Sequence, residues 1–199
     1  GLVADGDRKG VVDFIKSRRM GCSVYGAQFL LDALYDAGEA GYALSLLTST
    51  ARRSWYNMLR IGSTITTEAW DNVYKPNQDW NHPWGAAPAN VIVRKLMGVE
   101  PLEPGFGCFR IKPQPASLKS ASLTVPTIRG DVAVAFENEP GSSFSLHVGV
   151  PANTTAEVWV PRLGKRPTVD GRAVRARRSG EFWVVELSPG SHDIGVSAN

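Results

Sequence analysis

Residues 24–38, VYGAQFLLDALYDAG, carry the clearest helical pattern of the chain and decide the fold of its first half. Apolar residues recur there at intervals of three and four positions, which places them on one face of a helix. The residues of this face are Val24, Ala27, Leu31, Leu34 and Tyr35. Gly38 follows at the position where a helix commonly ends in a left-handed conformation. The stretch therefore predicts an amphipathic helix that ends at a glycine.

A second helix is predicted directly afterwards, in EAGYALSLLTST at residues 39–50. Ala43, Leu46 and Leu47 form one apolar stripe, so the two segments indicate a helical hairpin with a very short link. Residues 54–60 (SWYNMLR) and 87–98 (APANVIVRKLMG) complete the predicted helical half.

Residues 61–88 separate these last two helices and show little periodicity. Connections longer than about 12–15 residues are uncommon in compact domains and tend to be functional or disordered. The segment contains three Trp, one Tyr and one His, whereas disordered segments are poor in aromatic residues. We therefore predict an ordered functional loop.

After Gly98 the helical pattern gives way to alternation of apolar and polar residues. Turn residues separate runs of about five or six residues, which is typical of short, half-buried strands. The runs are FRIKPQ, SLTVPTI, DVAVAFENE, SFSLHVGV, AEVWV and EFWVVEL. Asp170–Gly171 in VDGRAV is the strongest local hairpin signal. The second half is thus predicted to be an antiparallel β-sandwich, with Trp159 and Trp183 in its core.

The composition is that of a globular domain, with 43% hydrophobic and 21% charged residues among 199. No apolar run approaches the roughly 20 residues that a membrane helix needs, so no membrane contact is expected. The P-loop, GxGxxG, GxSxG and HExxH patterns are absent, and the two cysteines form no CxxC pair. No cofactor or metal site is therefore expected; calcium at Asp71 and Asp79 would lack an EF-hand spacing.

The net charge of +3 is a mild excess and predicts no nucleic-acid partner. Seven basic residues cluster around the predicted hairpin turn, where exposed charge commonly protects sheet edges. They are Arg162, Lys165, Arg166, Arg172, Arg175, Arg177 and Arg178.

The long loop combines side chains that suit a sugar site, among them Glu68, Trp70, His82 and Trp84. Aromatic rings can stack on the apolar side of a pyranose, and polar groups can bind its hydroxyls. A carboxylate near an anomeric carbon can act as a general base or a nucleophile. Each residue also has a structural interpretation, namely a solvated surface carboxylate, a buried histidine that holds the loop, and tryptophans that anchor it.

Four blocks in series resemble the C-terminal part of bacterial α-L-rhamnosidases of glycoside hydrolase family 78. The blocks are CSVYGAQFLLDALYDAG (22–38), MLRIGSTITTEAWD (58–71), DWNHPWGAAPANVI (79–92) and PGFGCFRIKPQP (104–115). The resemblance implies an α+β multidomain chain, with residues 1–103 as the last helices of an (α/α)6 toroid. Residues 104–199 would form the C-terminal β-sandwich that follows.

The resemblance also implies roles for single residues of the loop. Glu68, in TTEAW, matches the family's general base in an inverting reaction, and His82, in WNHPWG, matches a histidine of the rhamnose pocket. Trp70 and Trp84 are carried over as sugar-contacting or pocket-wall residues. The family usually has Trp immediately before the base, whereas this chain has Thr67 there and Trp70 two positions after it. The expected substrate is a rhamnose-containing oligosaccharide or glycoside.

Family members carry their general acid, a glutamate in a DER-type motif, upstream in the toroid, and residues 1–67 contain no such motif. An inverting glycosidase needs both carboxyl groups. We therefore expect a C-terminal fragment that is inactive alone and exposes helix faces to a missing N-terminal part or to a second copy. The resemblance favours a bacterial, periplasmic or secreted protein over a cytoplasmic one.

Two other hypotheses remain open at this point. One is a non-catalytic carbohydrate-binding or interaction module that uses the β-sandwich, and the other is a related toroid hydrolase with a different sugar specificity.

Overall fold

The computed structural model describes residues 3–198 of the chain. The chain divides into two compact units, Gly1–Val91 and Ile92–Asn199. The first is helical and the second consists mainly of antiparallel strands, as predicted. The domain boundary expected between residues 103 and 104 stays a prediction.

The helical unit contains five α-helices and two short 3-10 turns among its described residues. In chain order, the elements are a 3-10 turn at Asp5–Asp7, α1 (Arg8–Arg18), α2 (Ala27–Asp36), α3 (Ala40–Leu47), α4 (Trp55–Arg60), a 3-10 turn at Pro83–Gly85, and α5 (Ala87–Val91). None of the helices within residues 3–198 has both the length and the apolar character needed to cross a bilayer.

The core of this unit is built on α2, whose predicted apolar face is confirmed. The five side chains predicted for this face are all buried: Val24, Ala27, Leu31, Leu34 and Tyr35. The helix begins only at Ala27, however, and Val24 lies in the turn before it. Gly38 has a φ of 80°, and the backbone N–H of Glu39 donates to the carbonyl of Leu34 at 2.8 Å, which closes the helix end. Ala43 and Leu46 of α3 are buried, whereas Leu47 is half-buried.

The ends of the other helices follow from local chemistry. Ser54 is extended, with φ −156°, and its hydroxyl accepts from the backbone N–H of Asn57 at 3.1 Å, so it caps α4.

Helix α1 buries none of its side chains, and Phe14 on it is 64% exposed. The helix predicted over 87–98 is α-helical only at Ala87–Val91, because Ile92–Leu96 forms a π-helical turn in which the N–H of Met97 bonds the carbonyl of Ile92.

The described part of the second unit contains eleven strands in two sheets. The first sheet has the order β1-β2-β6-β10-β9 and the second the order β3-β4-β5-β11-β7-β8. The strands are β1 (Val99–Pro101), β2 (Cys108–Ile111), β3 (Ser120–Thr127), β4 (Gly130–Glu139), β5 (Ser143–Val150), β6 (Thr155–Pro161), β7 (Thr168–Val169), β8 (Arg172–Ala173), β9 (Arg177–Ser179), β10 (Phe182–Leu187) and β11 (Gly190–Ser197).

This topology differs from the prediction in one parallel pair and in three strands that no predicted run contains, β1, β9 and β11. Strands β2 and β6 pair in parallel, from Cys108 opposite Thr155 to Ile111 opposite Val158, so the sandwich is not purely antiparallel. Strand β11 was not predicted, because its sequence GSHDIGVS contains residues that strands disfavour. It forms because β5 pairs with it along its whole length.

The hairpin predicted at VDGRAV is confirmed. Asp170 and Gly171 have φ values of 52° and 73° and join β7 to β8. Both positive angles are those of the tight turn that matches strand twist. The seven basic side chains around this turn are exposed, as expected.

The two tryptophans of the sandwich lie in different environments. Trp183 is 3% exposed and belongs to the core, as predicted. The prediction for Trp159 is wrong, because it alternates with the buried Val158 and Val160 and therefore lies on the opposite face of β6. Its ring contacts Phe182 and the cationic groups of Arg110 and Lys112.

Candidate active site

A cleft of about 580 Å³ opens in the helical unit beside the long loop. Glu68, Trp70 and Trp84, three of the four residues singled out from the sequence, line it together. Among the described residues that line the cleft, Glu68 supplies the only carboxylate. The other lining residues are Gly21, Cys22, Ser23, Val24, Tyr25, Arg53, Ala69, Tyr74 and Lys75.

The loop is held in shape by hydrogen bonds between its two limbs, residues 66–69 and 78–82. Thr66 and His82 bond twice: the N–H of His82 donates to the carbonyl of Thr66, and the Thr66 hydroxyl donates to the carbonyl of His82. The backbone N–H of Glu68 donates to the carbonyl of Asp79 at 2.9 Å. Gln78, which is buried, accepts from the N–H of Ala69. The predicted ordered loop is therefore confirmed, and its order comes from specific polar contacts.

The carboxylate of Glu68 has a partner on each oxygen. The Lys75 ammonium donates to Oε1, and the backbone N–H of Asp79 donates to Oε2 at 3.1 Å. Lys75 first, and then this N–H, hold the pKa of Glu68 below its ordinary value, and the charge of His82 acts in the same direction. Glu68 is therefore ionised at neutral pH, which is the form that accepts a proton. Its side chain is 20% exposed, so solvent and ligands can reach it.

His82 is not among the described residues that line the cleft, but it contacts one of them, Trp84. Its ring lies 4.0 Å from the ring of Trp84, centroid to centroid, and its Nδ1 is 3.5 Å from Oδ2 of Asp79. Its backbone closes the loop through Thr66, as described above. His82 therefore links the loop closure to the orientation of Trp84.

Trp70 is an anchor of the loop and a wall of the cleft. It is only 3% exposed, and its indole N–H donates to the carbonyl of Cys22 at 2.8 Å. Its ring meets Trp55 edge to face, with the centroids 5.0 Å apart. The backbone carbonyl of Trp70 accepts from the Asn57 amide. A side chain so placed can shape the cleft but offers little free ring surface for stacking.

Trp84, by contrast, is 47% exposed and presents ring surface at the cleft. It follows His82 in the 3-10 turn Pro83–Gly85. The ring of Tyr25 lies 5.3 Å from it, and Phe29 continues this row at 5.7 Å from Tyr25. Trp84 and Tyr25 therefore offer aromatic ring surface at the cleft, as does Tyr74, which packs against Arg53.

Several cleft residues were not identified from the sequence. Tyr25 lies in the turn that precedes α2, and its side chain is exposed although its neighbour Val24 is buried. Lys75 lies seven positions after Glu68, at no regular spacing. Arg53 precedes α4 and packs its guanidinium on the ring of Tyr74, 4.6 Å from the centroid. The sequence offers no signal for these contacts, since each depends on the course of the irregular loop.

The aspartates considered for calcium are engaged in other contacts. Asp71 accepts from the backbone N–H of Val73 and from the Asn57 amide, both at 3.0 Å. These bonds, in that order, lower the pKa of Asp71. Within residues 3–198 there is no group of three or more His, Cys, Asp or Glu side chains suited to a metal ion.

Two family models match consecutive parts of the chain. Residues 7–96 match the bacterial alpha-L-rhamnosidase 6 hairpin glycosidase domain. Residues 98–175 match the bacterial alpha-L-rhamnosidase C-terminal domain. A glycosidase helical domain followed by its C-terminal strand domain is thus the class that these matches define. The chain belongs to the bacterial α-L-rhamnosidase family.

Relatives and solved structures agree with this assignment. An alpha-L-rhamnosidase of Streptomyces avermitilis is 27% identical over 98% of this chain, and one of Formosa agariphila is 32% identical over 68%. The crystal structure of the Streptomyces avermitilis α-L-rhamnosidase complexed with L-rhamnose superposes with a TM-score of 0.84, at 26% identity, over 98% of this chain and 20% of that one. This chain spans 20% and 15% of the length of the two curated relatives.

Proposed function

We propose that the cleft beside the long loop is part of the active site of an inverting α-L-rhamnosidase, in which Glu68 is the general base. The observation that carries this proposal is the placement of Glu68: an ionised carboxylate that lines a cleft next to an exposed tryptophan. The similar Streptomyces avermitilis enzyme has been crystallised with L-rhamnose, which supports rhamnosides as the substrate class.

The proposed reaction needs two proton transfers. A water molecule attacks the anomeric carbon while the bond from that carbon to the glycosidic oxygen breaks, and Glu68 takes a proton from the water. An acid must protonate the departing oxygen at the same time. The cleft lining contains no second carboxyl group among its described residues. We infer that residues outside this chain supply the acid, in keeping with the lack of a DER-type motif in residues 1–67, and we expect the chain alone to be inactive.

The other cleft residues take supporting roles in this proposal. Trp84 is placed to contact the apolar face of the sugar, and Trp70 forms a wall. His82 orients Trp84 through their ring contact and contributes to the pocket in this way. The ionised state of Glu68 suits a base, because a base must be deprotonated at the working pH.

The helices of the first unit are proposed to be part of an (α/α)6 toroid. Five α-helices are too few to close such a ring. Several large apolar side chains of the unit are exposed, as expected if further helices or a second copy cover them. Among them are Phe14, Phe29, Tyr56, Leu59 and Ile65.

No observation favours the alternative of a sugar-binding module that uses the β-sandwich. Trp183 is buried, and the ring of Trp159 is already flanked by cationic side chains. Neither tryptophan therefore presents a free face for stacking on a pyranose.

The substitution Glu68→Gln in the whole enzyme tests the proposal. It keeps the shape and removes the base, so kcat should fall by about 10²–10⁴-fold, with the helical content unchanged. Glu139→Gln, at an exposed carboxylate paired with Lys119, is the matched control and should keep full turnover. Proton NMR of the sugar released first should show the anomer opposite to that of the substrate. Near-normal turnover of Glu68→Gln, or retention at the anomeric carbon, would reject the proposal.

A further inference from the structure

We propose that Lys75 is a positioning residue for Glu68: its ammonium fixes the rotation of the Glu68 carboxylate and leaves the oxygens' remaining lone pairs to the attacking water. This inference deepens the proposed function and rests on Glu68 as the general base. It concerns a residue that no motif in the sequence singled out.

Each oxygen of the Glu68 carboxylate has its own hydrogen-bond partner. Lys75 bonds Oε1 and the backbone N–H of Asp79 bonds Oε2, so rotation about the last side-chain bond of Glu68 would break both contacts. An ionised carboxylate has about four acceptor positions, and these contacts use two of them. Positions therefore remain for a water molecule on a carboxylate whose orientation is fixed.

Both partners of Glu68 come from one short turn. The backbone N–H of Gln78 donates to the carbonyl of Lys75 at 3.1 Å, which brings Lys75 and Asp79 to the same side. Gln78 in turn accepts from the N–H of Ala69, next to Glu68, and donates to the side chain of Asn72. The turn is thus tied to the chain on which Glu68 lies, and Lys75 can hold a constant position relative to it.

The contribution of Lys75 is expected to be functional more than structural. Its side chain is 43% exposed, and ion pairs at such positions add on the order of 0–1 kcal/mol to stability. The same contact can matter far more for a reaction, because a displacement of about 1 Å can cost on the order of 10²-fold in rate. Loss of Lys75 should therefore reduce turnover without loosening the fold.

Other charged or titratable groups lie near Glu68 and can also influence its titration. His82 acts on it from the loop end, and Asp79 pairs with His82. Arg53, Tyr74, Tyr25 and Cys22 line the same cleft. Of these groups, Lys75 alone donates a side-chain hydrogen bond to the carboxylate and has the largest effect on its pKa.

The first test uses this chain as it is. Carbon-13 labelling of glutamate side chains allows the Glu68 carboxyl to be titrated by NMR, with its signal assigned from its absence in Glu68→Gln. In Lys75→Met the titration midpoint should move to higher pH, because the positive charge that stabilises the carboxylate is gone. Lys75→Arg should keep it low, and Lys119→Met, at an exposed ion pair of the other unit, should leave it unchanged. An unchanged midpoint in Lys75→Met overturns the inference.

The second test uses the whole enzyme and separates the two proposals. Lys75→Met should lower kcat by about 10–100-fold with KM nearly constant, and the acidic limb of the kcat/KM profile should move to higher pH. Lys75→Arg should recover most of the rate. If Glu68→Gln lowers kcat as expected but Lys75→Met keeps the wild-type kcat and the wild-type acidic limb, only the role of Lys75 is rejected. If Glu68→Gln retains turnover, the proposed base is wrong and the role of Lys75 falls with it.

Discussion

The long loop and the six-stranded sheet are ordered by different kinds of contact. In the sheet, strands such as β5 and β11 pair residue by residue along their backbones, from Ser143 to Val150. In the loop, two backbone hydrogen bonds between the limbs are supplemented by contacts of particular side chains, such as Thr66 with His82 and Trp70 with Cys22. Backbone pairing tolerates many sequences, whereas the side-chain contacts of the loop depend on individual residues. Glu68, the proposed general base, lies in the loop, where its partners come from separate positions of the chain.

The largest expected effect comes from a substitution that would create a cavity in the core of the strand-rich unit. Phe144 is 2% exposed and stacks on Phe136, with ring centroids 5.9 Å apart. Phe144→Ala should destabilise the strand-rich unit by about 3–5 kcal/mol, because the lost side chain leaves an unfilled space. Hydrogen exchange should show the loss in β4, β5 and β11, with α2 and α3 still protected. Equal losses in α2 would show that the two units do not differ in this way.

A smaller effect is expected from a methyl group added in the loop. A Cβ at Gly85 would lie 2.8 Å from Cβ of Thr66 and 2.9 Å from Cγ1 of Val24. Gly85→Ala should cost about 1–3 kcal/mol, since the Thr66 bridge to His82 has to move. Gly41→Ala in α3, where nothing lies within 4 Å, is the control and should instead stabilise the unit by about 0.5–1 kcal/mol. Urea denaturation of the two variants measures the change in their free energy of unfolding. A change of the same sign in both variants would contradict the prediction.

The smallest expected effect is an acid dependence of the loop. The pKa values of Glu68 and Asp71 are lowered in the folded chain by Lys75 and by the N–H of Val73, respectively. A lowered pKa adds stability above the pKa of the unfolded chain, and this stability is lost as pH falls through the folded value. The Glu68→Gln variant should therefore lose less stability than the wild type as the pH drops below the ordinary carboxyl pKa of about 4. Thermal melting at a series of pH values measures this loss. A parallel loss in both proteins would exclude this contribution.

Much of the helical core and of the sandwich could be predicted from pattern alone. The buried face of α2, the left-handed Gly38 and the turn at Asp170–Gly171 each follow from residues within about one or two helical turns or one hairpin. The parallel pairing of β2 with β6 could not be predicted, because its partners lie far apart in the sequence. The outward position of Trp159 also depends on which face of β6 meets the other sheet.

The candidate site, like the fold, could be predicted from the sequence only in part. The long aromatic loop and its resemblance to α-L-rhamnosidases were sufficient to select Glu68, Trp70, His82 and Trp84. The sequence did not distinguish the buried Trp70 from the exposed Trp84, since both are tryptophans in one irregular segment.

The sequence by itself determined the two kinds of unit, their order and the family, and it led to the prediction of Glu68, Trp70, His82 and Trp84 as site residues. Only the tertiary structure decided which side chains surround the carboxylate, and in particular that Lys75 and the N–H of Asp79 hold its two oxygens. Periodic elements are encoded by local spacing, which a sequence displays directly. The contacts of an irregular loop depend on its path through space, and that path is set by all of its anchors together.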